Sequence, residues 1–308
     1  MKKVLITGAT SLIGVELVKA CLLKELEVIA LVRKNSSTIA RLPDSPKVKV
    51  VTADLEDLHQ VSSEELSADI FFHLGWQGTS REGRKDPIIQ EKNIKYTLDA
   101  VELAARANCK VFIGAGSQAE YGKHVEQITT PDSPIMPEEP YGIAKYAAGK
   151  LAEIHAKGHG MRFAWVRIFS VYGKYEIPTS MIQTTLHRML RGSSCNFSAA
   201  TQSWDFLYGE DAGKAILSIG MSANAEGVYC LGSGKARPLK DYIYEMKEIT
   251  NTNSELTFSK EPVPMGRGFS VDISKLQKDT GWKPSIDFDE GIQKTIEWIV
   301  SQKDDENI

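Results

Sequence analysis

The feature that most constrains the fold is the start of the chain, residues 3–14, KVLITGATSLIG, which continues into VELVKA. Residues 4–6 are large and apolar and predict a strand buried on both faces, and the apolar residues that follow have helical spacing. Gly8 and Gly14 stand where a sharp strand-to-helix turn needs an unhindered backbone. The unpaired N–H groups of the first helical turn would then face an anion. This stretch predicts a binding site for the pyrophosphate of a dinucleotide.

The glycine pattern is incomplete, because Ser11 takes the place of the middle glycine. An ordinary tight turn between a strand and a helix would have the same spacing. The position of the motif favours the dinucleotide, since the next predicted strand, residues 27–32, follows at the distance typical of a βαβ unit.

The composition indicates a globular protein whose 308 residues are 42% hydrophobic and 25% charged. A chain of this size can build one large core or two unequal domains. The formal net charge of −3 gives no reason to expect a nucleic-acid or membrane partner. No apolar run reaches the length of a membrane span, and the chain enters a strand at once where a signal peptide would stand. We therefore expect a cytoplasmic protein.

Cysteine and histidine spacing argues against a metal site. Cys21, Cys109, Cys195 and Cys230 lie far apart in apolar or small-residue surroundings, and we expect reduced packing residues. The six histidines form no ligand pair that spacing supports, and the two at positions 155 and 159 are expected at the solvated end of a helix. No metal is predicted.

Apolar runs at 28–32, 48–51, 70–74, 111–113 and 163–168 alternate with helical patterns. This alternation predicts an α/β fold, a Rossmann-type doubly wound parallel sheet, with ligands at the carboxyl ends of the strands. Residues 1–173 would form the dinucleotide-binding domain, with 205–231 returning to it. A smaller C-terminal α/β substrate domain would comprise 174–204 and 232–308. Helices are predicted over 91–107, from 141 to about 156, and over 180–191, 239–250 and 289–301.

The residues that follow each strand are the candidates for cofactor binding. Arg33 follows the second strand, where NAD enzymes usually carry a carboxylate for the ribose, so NADP(H) is favoured over NAD(H). Asp54 would accept from the adenine amino group or cap a short helix. The full set of predicted cofactor-binding residues is Gly8, Thr10, Ser11, Leu12, Ile13, Gly14, Arg33, Asp54, Leu55, Leu74, Gly75, Trp76, Asn93, Tyr141 and Lys145.

Tyr141 and Lys145 are four residues apart, behind Pro140 at a predicted helix start, and therefore share one helical face. Forming a phenolate at pH 7 costs about 4 kcal/mol for a tyrosine with an ordinary pKa. An ammonium at about 6 Å would return roughly 3 kcal/mol at an effective dielectric constant near 20. Ser117, at the end of the fifth strand, would orient the substrate oxygen. The predicted catalytic residues are therefore Ser117, Tyr141 and Lys145.

The chain resembles the extended short-chain dehydrogenases/reductases that act on nucleotide sugars, often called the NAD-dependent epimerase/dehydratase family. The resemblance covers nearly the whole length and rests on Thr7-Gly8-x-x-Ser11-x-x-Gly14, Asp54-Leu55, Asn93 with Thr97, Ser117 with Tyr121-Gly122, Tyr141 to Lys145, RIFSVYG at 167–173, DFLY at 205–208 with Asp211, LGSG at 231–234, DISKL at 272–276 and GWKP at 281–284. It implies hydride transfer between a nicotinamide and a sugar carbon. Tyr141 would be the acid/base, Lys145 would bind the ribose and tune Tyr141, and Ser117 would orient the sugar oxygen. It also implies a homodimer formed through the helices that begin near 91 and 141.

Departures from the family pattern narrow the reaction. Members that remove water from the sugar carry Thr-Asp-Glu where this chain has Ser117, Gln118 and Ala119, so elimination is not expected. Trp204 replaces an arginine that often contacts the phosphates, and Ser170 replaces the usual asparagine. Arg267 would reach a phosphate or be a solvated charge, and Trp204 would stack on a base or fill the core. The predicted substrate-binding residues are Gln118, Ser170, Trp204 and Arg267.

Three functions remain open. The first is NADPH-dependent reduction of a 4-keto-6-deoxyhexose linked to a nucleoside diphosphate, with Tyr141 as proton donor. The alternative is an NAD-dependent 4-epimerase of the kind that interconverts UDP-glucose and UDP-galactose, which uses the same three catalytic residues. A remote third is a non-catalytic NADP(H)-binding sensor, which would be expected to have lost that set.

Overall fold

A computed structural model describes residues 2–123, 128–261 and 268–305. The strands are β1 Lys3–Thr7, β2 Glu27–Val32, β3 Val48–Thr52, β4 Ile70–His73, β5 Val111–Ser117, β6 Arg162–Ile168, β7 Ser170–Tyr172, β8 Cys195–Phe197, β9 Ser203–Trp204, β10 Phe206–Tyr208, β11 Gly227–Leu231, β12 Arg237–Pro238 and β13 Leu256–Phe258. The helices are α1 Leu12–Leu23, α2 Pro87–Arg106, α3 Pro140–Gly158, α4 Met181–Met189, α5 Gly209–Met221, α6 Leu239–Thr250, α7 Ser274–Thr280 and α8 Phe288–Asp305.

Within these residues, seven strands form one parallel sheet in the order β11-β6-β5-β4-β1-β2-β3. The strand β1 lies inside the sheet, with Ile6 opposite Ala30 of β2 and Phe72 of β4. The chain builds outward from β1 to β3 on one side and then from β4 to β6 on the other. The order therefore reverses between β1 and β4, and a crevice opens at their carboxyl ends. The predicted Rossmann-type sheet is confirmed.

Helices cover both faces of the sheet, each through its apolar stripe. On one face α1 packs on α5, and residues such as Leu17 and Ile216 share a buried cluster with β1 and β2. On the other face α2 packs on α3, and Val101 and Ala148 share a second cluster with Phe112 of β5. The near-continuous apolar strands follow from burial on both sides.

A third cluster lies among the elements of the C-terminal part. Its buried members include Leu186 of α4, Ile243 of α6 and Ile292 of α8, together with Tyr172 and Tyr208. Residues 205–231 also contribute α5 and the sheet strand β11. The division of the chain into two domains stays a prediction.

Two buried aspartates tie loops of the C-terminal part to the strand-helix unit of β10 and α5. The Asp205 carboxylate accepts hydrogen bonds from the N–H groups of Ser233 at 2.6 Å and Gly234 at 2.8 Å. The Asp211 carboxylate accepts from the N–H and hydroxyl of Ser285, each at 2.7 Å, and from the N–H of Ile286 at 2.8 Å. Since a buried carboxylate must be hydrogen-bonded, these contacts restrict where the two loops can lie.

The helix α2 is longer in the structure than the sequence indicated, whereas the strand β5 ends at the predicted residue. The helix expected from residue 91 begins at Pro87, because the Asp86 carboxylate caps the N–H groups of Ile88 and Ile89 at 2.9 and 3.0 Å. The strand β5 continues past its apolar run, through two glycines, to Ser117, the strand end that the sequence predicts. Its glycines are needed for close packing, since a Cβ at position 114 or 116 would lie 2.3 or 2.4 Å from the Trp165 side chain. Helix α6 has the predicted bounds.

The four cysteines are free and buried, as predicted. None of the helices that the structure describes is long and apolar enough to span a membrane. The cytoplasmic location stays a prediction.

Candidate active site

The turn between β1 and α1 has the geometry of an anion-binding turn. Gly8 has a φ of +71°, and a Cβ there would lie 2.8 Å from the backbone nitrogen of Gly75 at the end of β4. A Cβ on Gly14 would lie 2.1 Å from the Gly8 carbonyl oxygen, so this glycine lets α1 pack directly on the turn. The Ser11 hydroxyl caps α1 by accepting from the Gly14 N–H at 3.0 Å. Other N–H groups of the first turn remain available for a phosphate.

A cleft of about 880 Å³ lies along the carboxyl ends of the strands, a volume that suits a large ligand. Of the predicted cofactor-binding residues, those that line it are Gly8, Thr10, Ser11, Leu12, Ile13, Arg33, Leu55, Leu74, Gly75 and Trp76. The remainder, Gly14, Asp54, Asn93, Tyr141 and Lys145, lie outside its lining. The cleft and the glycine turn together fit a dinucleotide.

One end of the cleft is rich in hydroxyl and guanidinium groups. The Ser36, Thr38 and Thr10 side chains form a hydrogen-bonded chain with oxygen–oxygen distances of 2.9 Å, and Arg41 donates to the Thr10 carbonyl at 3.4 Å. Arg33 is exposed at the end of β2 and lines the same cleft. Sequence reasoning found Thr10 and Arg33 but missed Ser36, Thr38 and Arg41. The polar run NSST at 35–38 was a signal for the first two of these, and Arg41 left none.

A single carboxyl group, that of Glu176, lines the cleft within the described residues. Burial raises its pKa to about 7, and its Oε2 atom has no hydrogen-bond partner among those residues. The preceding residue, Tyr175, has a φ of +64°, which is unusual for an aromatic residue, and its ring lies 4.8 Å from the Arg41 guanidinium carbon. A carboxyl group that is partly protonated near pH 7 repels a pyrophosphate less than a carboxylate does.

The three predicted catalytic side chains come together at the end of β5 and the start of α3. The Lys145 ammonium nitrogen lies 5.8 Å from the centroid of the Tyr141 ring and donates to the Ala115 carbonyl at 2.6 Å. The Ser117 side chain lies close enough to the Tyr141 phenol to lower its pKa. A hydroxyl, a phenol and an amine thus converge, which is the set needed to orient a substrate oxygen and exchange a proton with it.

Burial controls the protonation of this set. It raises the pKa of Tyr141, while Arg84 and the Ser117 hydrogen bond lower that pKa and Glu120 raises it. Burial also lowers the pKa of Lys145 to about 7, against the opposing influence of Glu120, and Arg84 lowers it further. Lys145 therefore loses its proton far more readily than an ordinary lysine does. Sequence reasoning missed Arg84, because nothing in the spacing places residue 84 near residue 141.

The loop after β4 is held by two side chains of α2. The Asn93 carboxamide accepts from the Gln77 N–H at 2.8 Å and donates to its carbonyl at 3.1 Å. Gln90, which sequence reasoning missed, accepts from the Trp76 indole N–H at 2.8 Å. The Trp76 ring lines the cleft, and its centroid lies 3.6 Å from the Lys145 nitrogen. Trp76 therefore stands between the cleft and Lys145, although the resemblance predicted that Lys145 would contact the cofactor ribose.

The buried carboxylate of Glu120 fixes the position of Ser117. It accepts from the Ser117 N–H at 2.8 Å, from the Trp165 indole N–H at 2.9 Å and from Nε of Arg167 at 2.7 Å. The Ser117 hydroxyl in turn accepts from the Ala119 N–H at 3.2 Å, so that serine and glutamate cap the turn together. The Ser-x-x-Glu spacing at 117–120 was the sequence signal for this arrangement.

The predicted substrate-binding residues are scattered around this centre. The Oε1 atom of Gln118 and the indole nitrogen of Trp204 are buried without a partner among the described residues. The Trp204 ring packs edge-on against Phe269, with centroids 4.9 Å apart. Ser170 is half-buried in β7 and outside the lining of the cleft. Arg267 lies outside the described residues.

A partly exposed cluster joins α2 and α3 outside the lining of the cleft. The Nε2 atoms of His155 and His159 lie 2.6 and 3.2 Å from the same Glu102 carboxylate oxygen. Histidine spacing predicted no such group, because the glutamate comes from the other helix. Hydrogen bonds between the imidazoles and the carboxylate account for the cluster.

Comparisons with known proteins agree with this architecture. The sequence profile described as the NAD dependent epimerase/dehydratase family matches residues 4–232. A putative UDP-glucose 4-epimerase of Methanocaldococcus jannaschii is 25% identical over 306 residues, which cover 96% of this chain and 98% of that one. The dTDP-glucose 4,6-dehydratase of Salmonella typhimurium is 21% identical and covers 97% and 93%. The structure of a UDP-glucose 4-epimerase from Thermotoga maritima with UDP-glucose superimposes with a TM-score of 0.86, at 24% identity and over 98% and 99% of the chains.

Replacing Arg167 by Met tests the role of the buried ion pair. Glu120 is fully buried and Arg167 only 4% exposed, so the variant leaves a buried carboxylate without its counter-ion. We expect the free energy of unfolding to fall by about 3–5 kcal/mol in chemical denaturation. The control is Lys150→Met, which removes an exposed ion pair with Glu153 and should change it by less than about 1 kcal/mol. Equal decreases in the free energy of unfolding in the two variants would contradict a stabilising role for the Glu120–Arg167 ion pair.

Proposed function

The chain belongs to the NAD-dependent epimerase/dehydratase family, and from that premise we propose that it is a nucleotide-sugar 4-epimerase. Membership makes it an enzyme of the extended short-chain dehydrogenase/reductase type, so the sensor hypothesis is set aside. The observation that carries the proposal is the convergence of Ser117, Tyr141 and Lys145 beside the cleft. That arrangement suits redox chemistry at a carbon that bears a hydroxyl group.

In such a reaction the protein side chains would transfer the proton and orient the sugar oxygen. A bound nicotinamide supplies reversible acceptance of a hydride from the sugar carbon. Tyr141 as phenolate would take the proton of the C4 hydroxyl as that carbon is oxidised to a carbonyl. As phenol it would return the proton to the same oxygen when the carbonyl is reduced from the opposite face. Ser117 holds that oxygen in line with Tyr141 through its hydroxyl group.

The residues after Ser117 argue against loss of water. Elimination requires an acid and a base near the reacting carbons. Gln118 and Ala119 supply neither, although dTDP-glucose 4,6-dehydratases are among the relatives. A 4-epimerase needs no further acid or base, and the full-length match to a putative UDP-glucose 4-epimerase supports this interpretation.

A second candidate function is the NADPH-dependent reduction of a 4-keto-6-deoxyhexose linked to a nucleoside diphosphate. The specific observation in its favour is the hydroxyl- and guanidinium-rich end of the cleft, where Arg33, Ser36, Thr38 and Arg41 meet. Guanidinium and hydroxyl groups suit a ribose 2′-phosphate, and no carboxylate stands at the end of β2 to bind a free 2′-hydroxyl. NADPH is typical of net reductions, whereas an epimerase regenerates its own cofactor.

One pair of assays separates the two candidates. An epimerase converts UDP-glucose to UDP-galactose with catalytic cofactor and no net change in absorbance at the NADH or NADPH band. A reductase consumes one NADPH for each 4-keto-6-deoxyhexose. Tyr141→Phe should lower either rate by a factor of about 10² or more, because it removes the proton donor and acceptor. Unchanged turnover in that variant would exclude Tyr141 from the reaction, and inactivity of the wild type in both assays would reject both candidates.

Cofactor preference is tested at Arg33. If the cleft binds a 2′-phosphate, Arg33→Ala should weaken NADP⁺ binding about tenfold, the loss expected for one charge-assisted hydrogen bond. NAD⁺ binding should change by less than a factor of about two. The matched control is Lys34→Ala, since Lys34 is also exposed but does not line the cleft. Equal affinity of Arg33→Ala and wild type for NADP⁺, measured by titration calorimetry, would reject the preference.

We also propose a homodimer formed through α2 and α3. These helices expose the large apolar side chains Ile88, Ile143, Leu151 and Ile154, of which Ile154 is 70% exposed. In a dimer, Ile154→Asp would bury a charge in the contact and should produce monomers in sedimentation velocity runs. Leu23→Asp, at a residue 77% exposed on α1, is the control and should leave the mass unchanged. A monomeric wild type would end the proposal.

A further inference from the structure

An arginine that no motif pointed to lies against the candidate acid/base. The guanidinium carbon of Arg84 lies 4.2 Å from the centroid of the Tyr141 ring. Trp76 approaches the same ring edge-on, with centroids 6.1 Å apart. A cation within about 6 Å of an aromatic face is attracted to the ring, and the attraction grows when the ring carries negative charge.

The turn that carries Arg84 is held in place. Gln90 is 1% exposed, and its amide nitrogen donates to the carbonyls of Gly78 and Gly83, each at 2.9 Å. Gly83 also packs on Gly78, since a Cβ there would lie 2.7 Å from the Gly78 Cα. Arg84 is therefore presented to Tyr141 by a turn anchored on α2, the helix that packs against α3.

The charge of Arg84 is not neutralised by any carboxylate that the structure describes. Within the described residues its guanidinium forms no ion pair, and its Nε atom is buried without a hydrogen-bond partner. Arg84 is half-buried, and a guanidinium group whose Nε atom is buried without a partner is stabilised by a negative charge that forms beside it. A candidate for that charge lies directly beside it, the phenolate that Tyr141 must form to accept a proton.

We propose that Arg84 is a positioning residue of the catalytic centre, whose guanidinium group stabilises the Tyr141 phenolate. The proposal rests on the role of Tyr141 in the proposed function. The resemblance assigned the stabilisation of the Tyr141 phenolate to Lys145 alone, and the proposal divides it between Lys145 and Arg84. Lys145, held on the Ala115 carbonyl and under the Trp76 ring, keeps its place in the site but carries less of the charge.

The other groups around Tyr141 do not remove the need for this cation. Glu120 disfavours the phenolate, although its charge is largely taken up by Arg167. His73, on β4, is buried and neutral, since burial and Lys145 lower its pKa to about 3. Burial lowers the pKa of Lys145 to about 7, so this group is a weaker source of positive charge than an ordinary lysine, and Ser117 contributes only a neutral hydroxyl group. Arg84 thus supplies a permanent positive charge that faces the ring.

The test is the pKa of Tyr141 in Arg84→Gln and Arg84→Met, with Arg84→Lys as the variant that keeps the charge. Removal of a cation raises the pKa of the phenol, so we expect a rise of about one to three units in the neutral variants and a smaller one in Arg84→Lys. The control, Arg81→Gln, changes an exposed arginine of the same loop and should leave the pKa unchanged. Circular dichroism and melting temperature establish that each variant is folded.

Two readouts report this pKa. The first is tyrosinate absorbance in the presence of NAD⁺, taken as the difference between each protein and its Tyr141→Phe counterpart, which requires no substrate. The second is the pH profile of kcat/KM in the oxidative direction, whose acidic limb should move to higher pH. An unmoved optical titration in both neutral variants overturns the inference, and so does a rise in KM alone, which would make Arg84 a substrate contact. If the wild type turns over no nucleotide sugar but the titration moves, the proposed function fails while the inference about Arg84 stands.

Discussion

The site depends on one topological constraint, the position of β1 inside a parallel sheet whose order reverses beside it. The carboxyl ends of β1, β2 and β4 then meet at one edge, where residues far apart in sequence line one cleft. The approach is so close that Gly8 and the end of β4 leave no room for a Cβ. A chain that shifted this register would lose the anion-binding turn and the loop that carries Trp76 and Arg84 together.

Sequence reasoning succeeded where the signal is local or periodic. The strands are apolar because they are buried on both faces. Ser117 and Tyr141 could be found because one ends a strand and the other begins a helix, and Lys145 because it lies one helical turn after Tyr141. It failed for Gln90, Arg84 and Arg41, whose functional neighbours are set by how α2 and two loops pack. Such contacts leave no spacing in the sequence. Asp54 follows β3 at the expected position but does not line the cleft, so its contact with the adenine stays a prediction.

The sequence pointed to Tyr141 and Lys145 as the charged pair of the centre, but the predicted energy of ionising Tyr141 left out one cost. At the distance found, a fully charged Lys145 would offset much of the cost of a phenolate, but that sum omits desolvation of the lysine itself. Full burial lowers the pKa of Lys145 to about 7, so the group expected to supply the charge gives up part of it. A guanidinium group is less costly to desolvate than an ammonium group, and Arg84 places one against the Tyr141 ring. A buried tyrosine that must ionise is better supported by a guanidinium nearby than by a second titrating group.

The choice between epimerase and reductase lies outside this centre. Both reactions move a hydride to or from C4 and a proton to or from its oxygen, so the same three side chains serve either. What differs is whether the cofactor leaves after each turnover, and that depends on the contacts along the cleft far from the reacting carbon. Arg33, Ser36 and Arg41 line one end of it, and the loop with Tyr175 and Glu176 lines another part. The Arg41–Tyr175 contact joins these two segments of the lining, which makes it one of the places in the cleft where the two candidate functions can differ.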